Sequence, residues 1–346
     1  MSTPAHPSAR TPWGRGVALG LVLAVVVSII VLAFSWPAVT SEPRDLPVAI
    51  TGPAEQLAMV EQAVTENAEG AVALTEVDDR DAAVDAIEGR EVYGAVVLGQ
   101  APEVLTSSAA SPVAAQLLGG IAAQLQQQAA QAAAAAGAPA PTVAVTDVVP
   151  LLDTDPRGAG MTAASFPLVL GGMIGGIAIT MAIGGVWRRV AALLAYSVAA
   201  GLAIAGILQG WFAVLAGAYL LNAAAFGLSL LAIGATIVGF ASIVGRPGIA
   251  LGPVLFLLIA NPISGAAMPR EFLPAPWGEV GQWFPPGAGA TLVRDLSYFP
   301  GADTTFPWLV LAVWAAGGLV LAAIGHFRSS GPLVIAESDE TQPAAA

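Results

Sequence analysis

Six apolar stretches, none carrying an Asp, Glu, Lys or Arg, constrain any fold open to this chain: residues 16–36, 166–187, 190–209, 219–244, 248–260 and 306–327. About twenty residues at ~1.5 Å rise cross a ~30 Å hydrocarbon core, so five of these stretches are long enough alone. The sixth, GIALGPVLFLLIA, reaches that length only through the broken continuation that follows it. With 56% apolar and 10% charged residues, the composition excludes an ordinary soluble globule and a disordered chain together. The expected fold class is a polytopic α-helical membrane protein of six transmembrane helices, with a small extracytoplasmic α/β domain inserted between the first and second.

Sidedness follows from arginine. All twelve basic residues are Arg and there is no Lys. With both termini placed inside, Arg10, Arg15, Arg188, Arg189, Arg246 and Arg328 fall on the cytoplasmic side, as the positive-inside rule requires. Residues 1–15 are then a cytoplasmic N-terminus and 328–346 a disordered cytoplasmic tail. The first stretch is read as an uncleaved anchor, because secretory apolar cores run only ~7–15 residues. Pro37 is expected to end it. The expected location is the plasma membrane of a bacterium, multi-pass.

The net charge of −12 is concentrated in one place. Residues 42–157 hold 17 acids against 4 arginines, so an acidic folded unit is grafted onto a nearly neutral helical block and a nucleic-acid surface is excluded. Within this domain, taken as 42–160, short apolar runs at 46–51, 71–77, 93–98, 104–107 and 142–151 alternate with helical periodicity at 55–68, 79–89 and 111–137. That alternation reads as a small α/β sheet domain. Five glutamines make residues 124–136 costly in lipid, so this tract is read as a surface or packing helix. A polar linker, DTDPRGAGMTAA, leads to the helices of 166–260.

Residues 261–305 break the pattern. Asn261-Pro262 ends or kinks the helix, since proline removes a backbone donor and biases its predecessor away from the helical basin. Six prolines between 262 and 286 then alternate with Trp277, Trp283, Phe284, Tyr298 and Phe299. Two readings stand: short broken helices at the membrane interface, or a proline-rich external loop with aromatic anchors.

Several chemistries are excluded by what is missing. Without lysine there is no P-loop, so ATP hydrolysis by that device belongs to another chain. Without cysteine there is no disulfide, zinc-thiolate site or thiol nucleophile. His6 and His326 lie at opposite ends, no GxSxG elbow occurs, and the acids of VDDRDAAVD lack EF-hand spacing. No cofactor, metal or catalytic activity is expected. No charge lies inside a proposed span, which argues against a proton- or sodium-coupled carrier. Gly171, Gly172, Gly175 and Gly176 form a small-residue face, a seam within the bundle or in a dimer.

The order of parts resembles the membrane subunit of ATP-binding-cassette exporters of the type-2 class, in the branch of phage-infection-protein-like membrane proteins. The segments DAAVDAIEGREVYGAVVLG and NPISGAAMPREFLPAPWGEVGQWFPPGAGATLVRDLSYF carry the likeness. The resemblance implies a permease half, working as a homodimer or with a similar half, that moves a hydrophobic or amphiphilic substrate outward while a cytoplasmic subunit hydrolyses ATP. It implies that Asn261, Pro262, Ser264, Gly265 and Arg294 belong to an extracellular gate. Such permeases meet their ATPase through an N-terminal helix and a loop after the second span; here that loop shortens to Trp187, Arg188 and Arg189, the contact candidates. The alternative function is a non-transporting membrane protein whose exported domain binds a cell-envelope partner.

Overall fold

The computed structural model describes residues 12–329 except 68, 69 and 138. Most of the expected N-terminus and nearly all of the expected tail lie outside the described residues. Five helices are long and apolar enough to cross a membrane, which is compatible with a multi-pass membrane protein: α1 (Trp13–Thr40), α5 (Ala159–Ala182), Val186–Trp211, α7 (Tyr219–Val244) and Thr305–Arg328. Val186–Trp211 consists of α6 (Val186–Ala205) and a closing π-helical turn, Gly206–Trp211. The apolar segment Gly248–Ala260 is shorter; its helix α8 (Gly248–Pro253) widens into π geometry over Val254–Ala260. Pro253 lies where the two meet and has no N–H for a regular ladder.

Several boundaries differ from the sequence reading: the last strand is Ala144–Asp147 instead of 142–151, the third apolar helix starts at Val186 instead of 190, and three further differences have local causes. Helix α1 passes through Pro37 to Thr40, where the Thr40 hydroxyl donates to the Trp36 carbonyl at 2.7 Å and satisfies an end group. The 153–164 stretch is only partly a linker, because α5 begins at Ala159. Both carboxylate oxygens of Asp155 accept there, from the backbone N–H groups of Ala159 and Gly160 at 2.8 Å each, so an acid caps two orphan donors. The second helix ends at Ala182 instead of Trp187. Gly184 and Gly185 belong to the turn, and Trp187, Arg188 and Arg189 form the first turn of α6.

The sheet domain has five strands in the order β2-β1-β3-β4-β5: β1 (Leu46–Thr51), β2 (Val72–Glu76), β3 (Gly94–Val97), β4 (Glu103–Thr106) and β5 (Ala144–Asp147). All neighbours are parallel except β3 and β4. The two-residue period sends Leu46, Val48 and Ile50 to one face, with Leu57 of α2 (Ala54–Asn67) and Leu118 of α4 (Pro112–Ala136). It sends Ala49 to the other, with Ala83 and Ile87 of α3 (Arg80–Glu88). Asp79 and Ser111 cap α3 and α4 through their side chains.

The axis of the helical block is α7, most of whose residues are buried, whereas α1 is exposed along its apolar length. Small residues set the approach of its neighbours. A Cβ at Gly172 would lie 2.9 Å from Ile233 and one at Gly176 2.9 Å from the Gly234 backbone; at Gly175 it would strike the Tyr196 ring, and at Gly171 it would meet Leu230 at 3.4 Å. The four-glycine face therefore seats α5 against α6 and α7 of its own chain.

These contacts also fix direction. Residues 171, 172 and 176 meet 230, 233 and 237, so α5 and α7 run parallel; 201 meets 227 and 193 meets 234, so α6 runs antiparallel to them. Gly318 meets Ala235 and Gly325 meets Ser242, which aligns α11 (Thr305–Ser329) with α7. At its far end α1 packs Phe34 on Phe166 and Trp36 on Trp277. Consequently Arg15, Arg188, Arg189, Arg246 and Arg328 sit at one end of the block, and the sheet domain and residues 261–305 at the other.

Candidate functional site

Residues 261–305 fold into a turn, a 3-10 turn at Arg270–Phe272, and two short helices, α9 (Trp277–Gln282) and α10 (Pro285–Tyr298). After the π turn, the Ser264 hydroxyl donates to the Asn261 carbonyl at 2.8 Å and closes a reversal around Pro262. Gly265 then takes φ +65°, where an L side chain is strained. The returning helix packs backbone on backbone: a Cβ at Gly281 would run into the Ile263 carbonyl, and one at Gly278 into that of Arg270. Gln282 donates to the Ser264 carbonyl at 2.9 Å and accepts from Thr291 at 2.7 Å, stitching the turn to both helices.

Upon this segment sits the sheet domain. Phe272 is 6% exposed and belongs to the sheet-domain core beside Leu118 and Val104. Its carbonyl accepts from Glu42 N at 3.2 Å and Arg44 Nη1 at 3.0 Å. The Tyr93 hydroxyl donates to Glu271 at 2.9 Å, and Arg90 Nη1 lies 3.3 Å from Asp295 Oδ1 with its guanidinium 5.0 Å from the Phe299 ring centre. One hydrophobic plug, four polar ties and one cation–aromatic contact thus couple the two units.

Between the ties lies a polar vestibule of about 270 Å³, lined by Arg90, Tyr93, Glu271, Gln282, Arg294 and Asp295 among others. Burial, and then the neighbouring Arg90, bring the Arg294 guanidinium down to about 10. Burial lifts the Asp295 carboxyl above its ordinary range against the pull of Arg90 and Arg294. Tyr93 is held neutral, its pKa raised by burial and then by Glu271.

Of the sequence-derived gate residues, the structure brings Asn261, Pro262, Ser264 and Gly265 into one turn. Arg294 joins them through Ala266, whose carbonyl accepts from its Nη2 at 3.2 Å. Trp187, Arg188 and Arg189 lie at the opposite end. Trp187 and Arg188 are exposed, with the Trp187 ring 6.0 Å from that of His326, whereas Arg189 Nε donates to the Ile183 carbonyl at 2.7 Å and caps α5. Sequence reasoning missed Arg90, Tyr93, Glu271, Phe272 and Asp295 as contact residues. Arg90 and Tyr93 lie in the first motif and the others in the second, so the partners were quoted but their pairing required the fold. Among the described residues no group of three or more His, Asp or Glu is arranged to hold a metal ion.

The helical block and its sheet domain define a class, a mostly helical protein compatible with multi-pass membrane insertion that carries a small mixed sheet. No family model, no curated protein and no solved structure matches the chain.

Proposed function

We propose that the protein is the membrane permease component of an exporter, moving a hydrophobic or amphiphilic substrate outward while a separate cytoplasmic subunit hydrolyses ATP. The observation that carries this reading is the re-entrant segment 261–298, irregular backbone that folds back on itself at the end of the helical block and is gripped by the sheet domain. Non-helical backbone is tolerated at membrane depth only where protein or a wet cavity shelters it. The close packing of α9 on the turn and the polar vestibule beside it would supply such shelter, which supports the reading.

In this reading Gly248–Ala260 and its continuation make the sixth crossing, and the arginine end faces the cytoplasm by the positive-inside rule. The sheet domain lies outside as the handle of the gate, and Trp187 and Arg188 face the ATPase. The working unit is a homodimer or a pairing with a similar half. The sequence has no lysine for a P-loop, which is consistent with ATP being hydrolysed by a separate chain in this reading.

The test is co-purification of the tagged full-length protein in mild detergent with an ATP-hydrolysing partner, followed by turnover assays. A partner whose ATPase rate rises with the permease supports the reading. Isolation without an ATPase from cells in which the protein is active would overturn it in favour of a non-transporting envelope-binding protein.

A further inference from the structure

Three cavities converge on one arginine and its neighbours. The polar vestibule and a small apolar cavity of about 30 Å³, lined by Met161, Leu168, Val169, Phe226 and Ile233, share Arg294. A third, about 200 Å³ and lined by Phe34, Phe166, Met268 and Leu273, shares Gly265 with the vestibule and Ala266 with the apolar cavity. Arg294 Nη2 is bonded to the Ala266 carbonyl, so the guanidinium stands where polar and apolar spaces meet.

The charges around it do not close. Asp295 pairs with Arg90, and Glu271 pairs with Arg270 and accepts from Tyr93. Arg294, only 9% exposed, has no ion pair among the described residues, and its Nε has no hydrogen-bond partner. A buried cation in this position is costly until an anion joins it. The same field lowers its proton affinity, with burial acting first and Arg90 second.

We infer that Arg294 is the anchor of a binding site for a carboxylate or phosphate group, held at the vestibule wall with any attached apolar chain lying in the neighbouring cavity lined by Phe34, Phe166, Met268 and Leu273. The amphiphile source of that group rests on the exporter reading; the anion site does not. An acidic head would supply the acceptor that Nε lacks, and Thr291 and Gln282 line the same space with further polar groups.

The experiment is calorimetric titration of the full chain in dodecyl maltoside with dodecyl phosphate in one arm and inorganic phosphate in the other. Saturable binding is expected, weakened about ten-fold in Arg294→Gln, the size of one lost charge-assisted hydrogen bond. Tight binding of dodecyl phosphate alone assigns an amphiphile; equal binding of inorganic phosphate assigns a free anion; both support the site. Binding that Arg294→Gln leaves unchanged in both arms overturns it. Should that variant fail to fold, Asp295→Asn carries the test: removing the carboxylate that neutralises Arg90 on the same vestibule wall is expected to tighten anion binding several-fold, and unchanged or weaker binding overturns the assignment. Neither arm involves ATP or transport. Anion binding without an ATPase partner leaves the site standing and sinks the exporter reading, while ATP-driven transport of neutral amphiphiles without anion binding does the reverse.

Discussion

Tyr93, on the sheet domain, and Glu271, on the segment 261–305, are 178 positions apart in sequence and joined by a 2.9 Å hydrogen bond in a half-buried site. Glu271 keeps Arg270 as a second partner, so Tyr93→Phe removes one tie without stranding a charge. A bond to a charged acceptor is worth about 1.5–3 kcal/mol. The expected result is a lower thermal unfolding midpoint, with faster amide exchange at residues 268–273 while strands β1 and β3 keep their protection. Unchanged exchange across 268–273 would show that the tie does not hold the segment.

Asp295 makes stability depend on pH. Its folded carboxyl is held above the ordinary range by burial, despite Arg90 and Arg294, so just above the usual carboxylate pKa the folded state binds more protons than the unfolded one. Stability contributed by this group therefore falls as pH rises through that interval. Unfolding midpoints of wild type and Asp295→Asn, measured across it, are expected to diverge, with the wild type losing ground as pH rises; parallel curves would contradict the buried carboxyl.

Gly281→Ala places a methyl group against the Ile263 carbonyl, a backbone atom that cannot rotate away. Overpacking of this kind costs roughly 1–3 kcal/mol. A reduced yield of folded protein and a lowered unfolding midpoint are expected, whereas Gly137→Ala, with nothing within 4 Å but φ +65°, tests backbone strain alone. Wild-type stability in Gly281→Ala would mean that the turn and α9 do not touch.

Asp155→Ala removes the acceptor for two N–H groups at the start of α5 and is expected to cost about 0.5–2 kcal/mol. Asp155→Asn retains one acceptor oxygen and should recover part of it, as read by thermal unfolding.

The two arginines at the α5–α6 turn are expected to separate. Arg189→Gln loses the bond to the Ile183 carbonyl and lowers stability, while Arg188→Gln leaves the unfolding midpoint unchanged and, on the exporter proposal, weakens co-purification of the proposed ATPase. Equal association of both variants with the partner would remove this end as the contact.

The apolar stretches were legible because a lipid-facing helix needs only length and the absence of charge, both of which are local. The strands were legible because LPVAIT and YGAVVL are buried on both faces and so read as continuous apolar runs. Boundaries were less so: Asp155 starts α5 within a stretch that composition marks as linker, and the Thr40 hydroxyl carries α1 beyond Pro37. Asn261, Pro262, Ser264 and Gly265 were legible as a turn, since Asn-Pro followed by Ser-Gly has few other conformations. Their partners were not. Nothing in sequence pairs Arg90 with Asp295 or sends Phe272 into the core beneath strands that lie far upstream, because such ties depend on the way the domain lies against the segment.

The account stands on which end of the block faces out, and the absence of native cysteine allows a direct measurement. Single substitutions Gly70→Cys, Ala275→Cys, Arg188→Cys and Arg328→Cys, all at exposed positions, are treated in intact cells with a membrane-impermeant maleimide. Labelling at 70 and 275 before permeabilisation, and at 188 and 328 only after it, is the expected result. Labelling at 188 and 328 in intact cells, with 70 and 275 protected, would turn the molecule over and contradict an outward-facing gate.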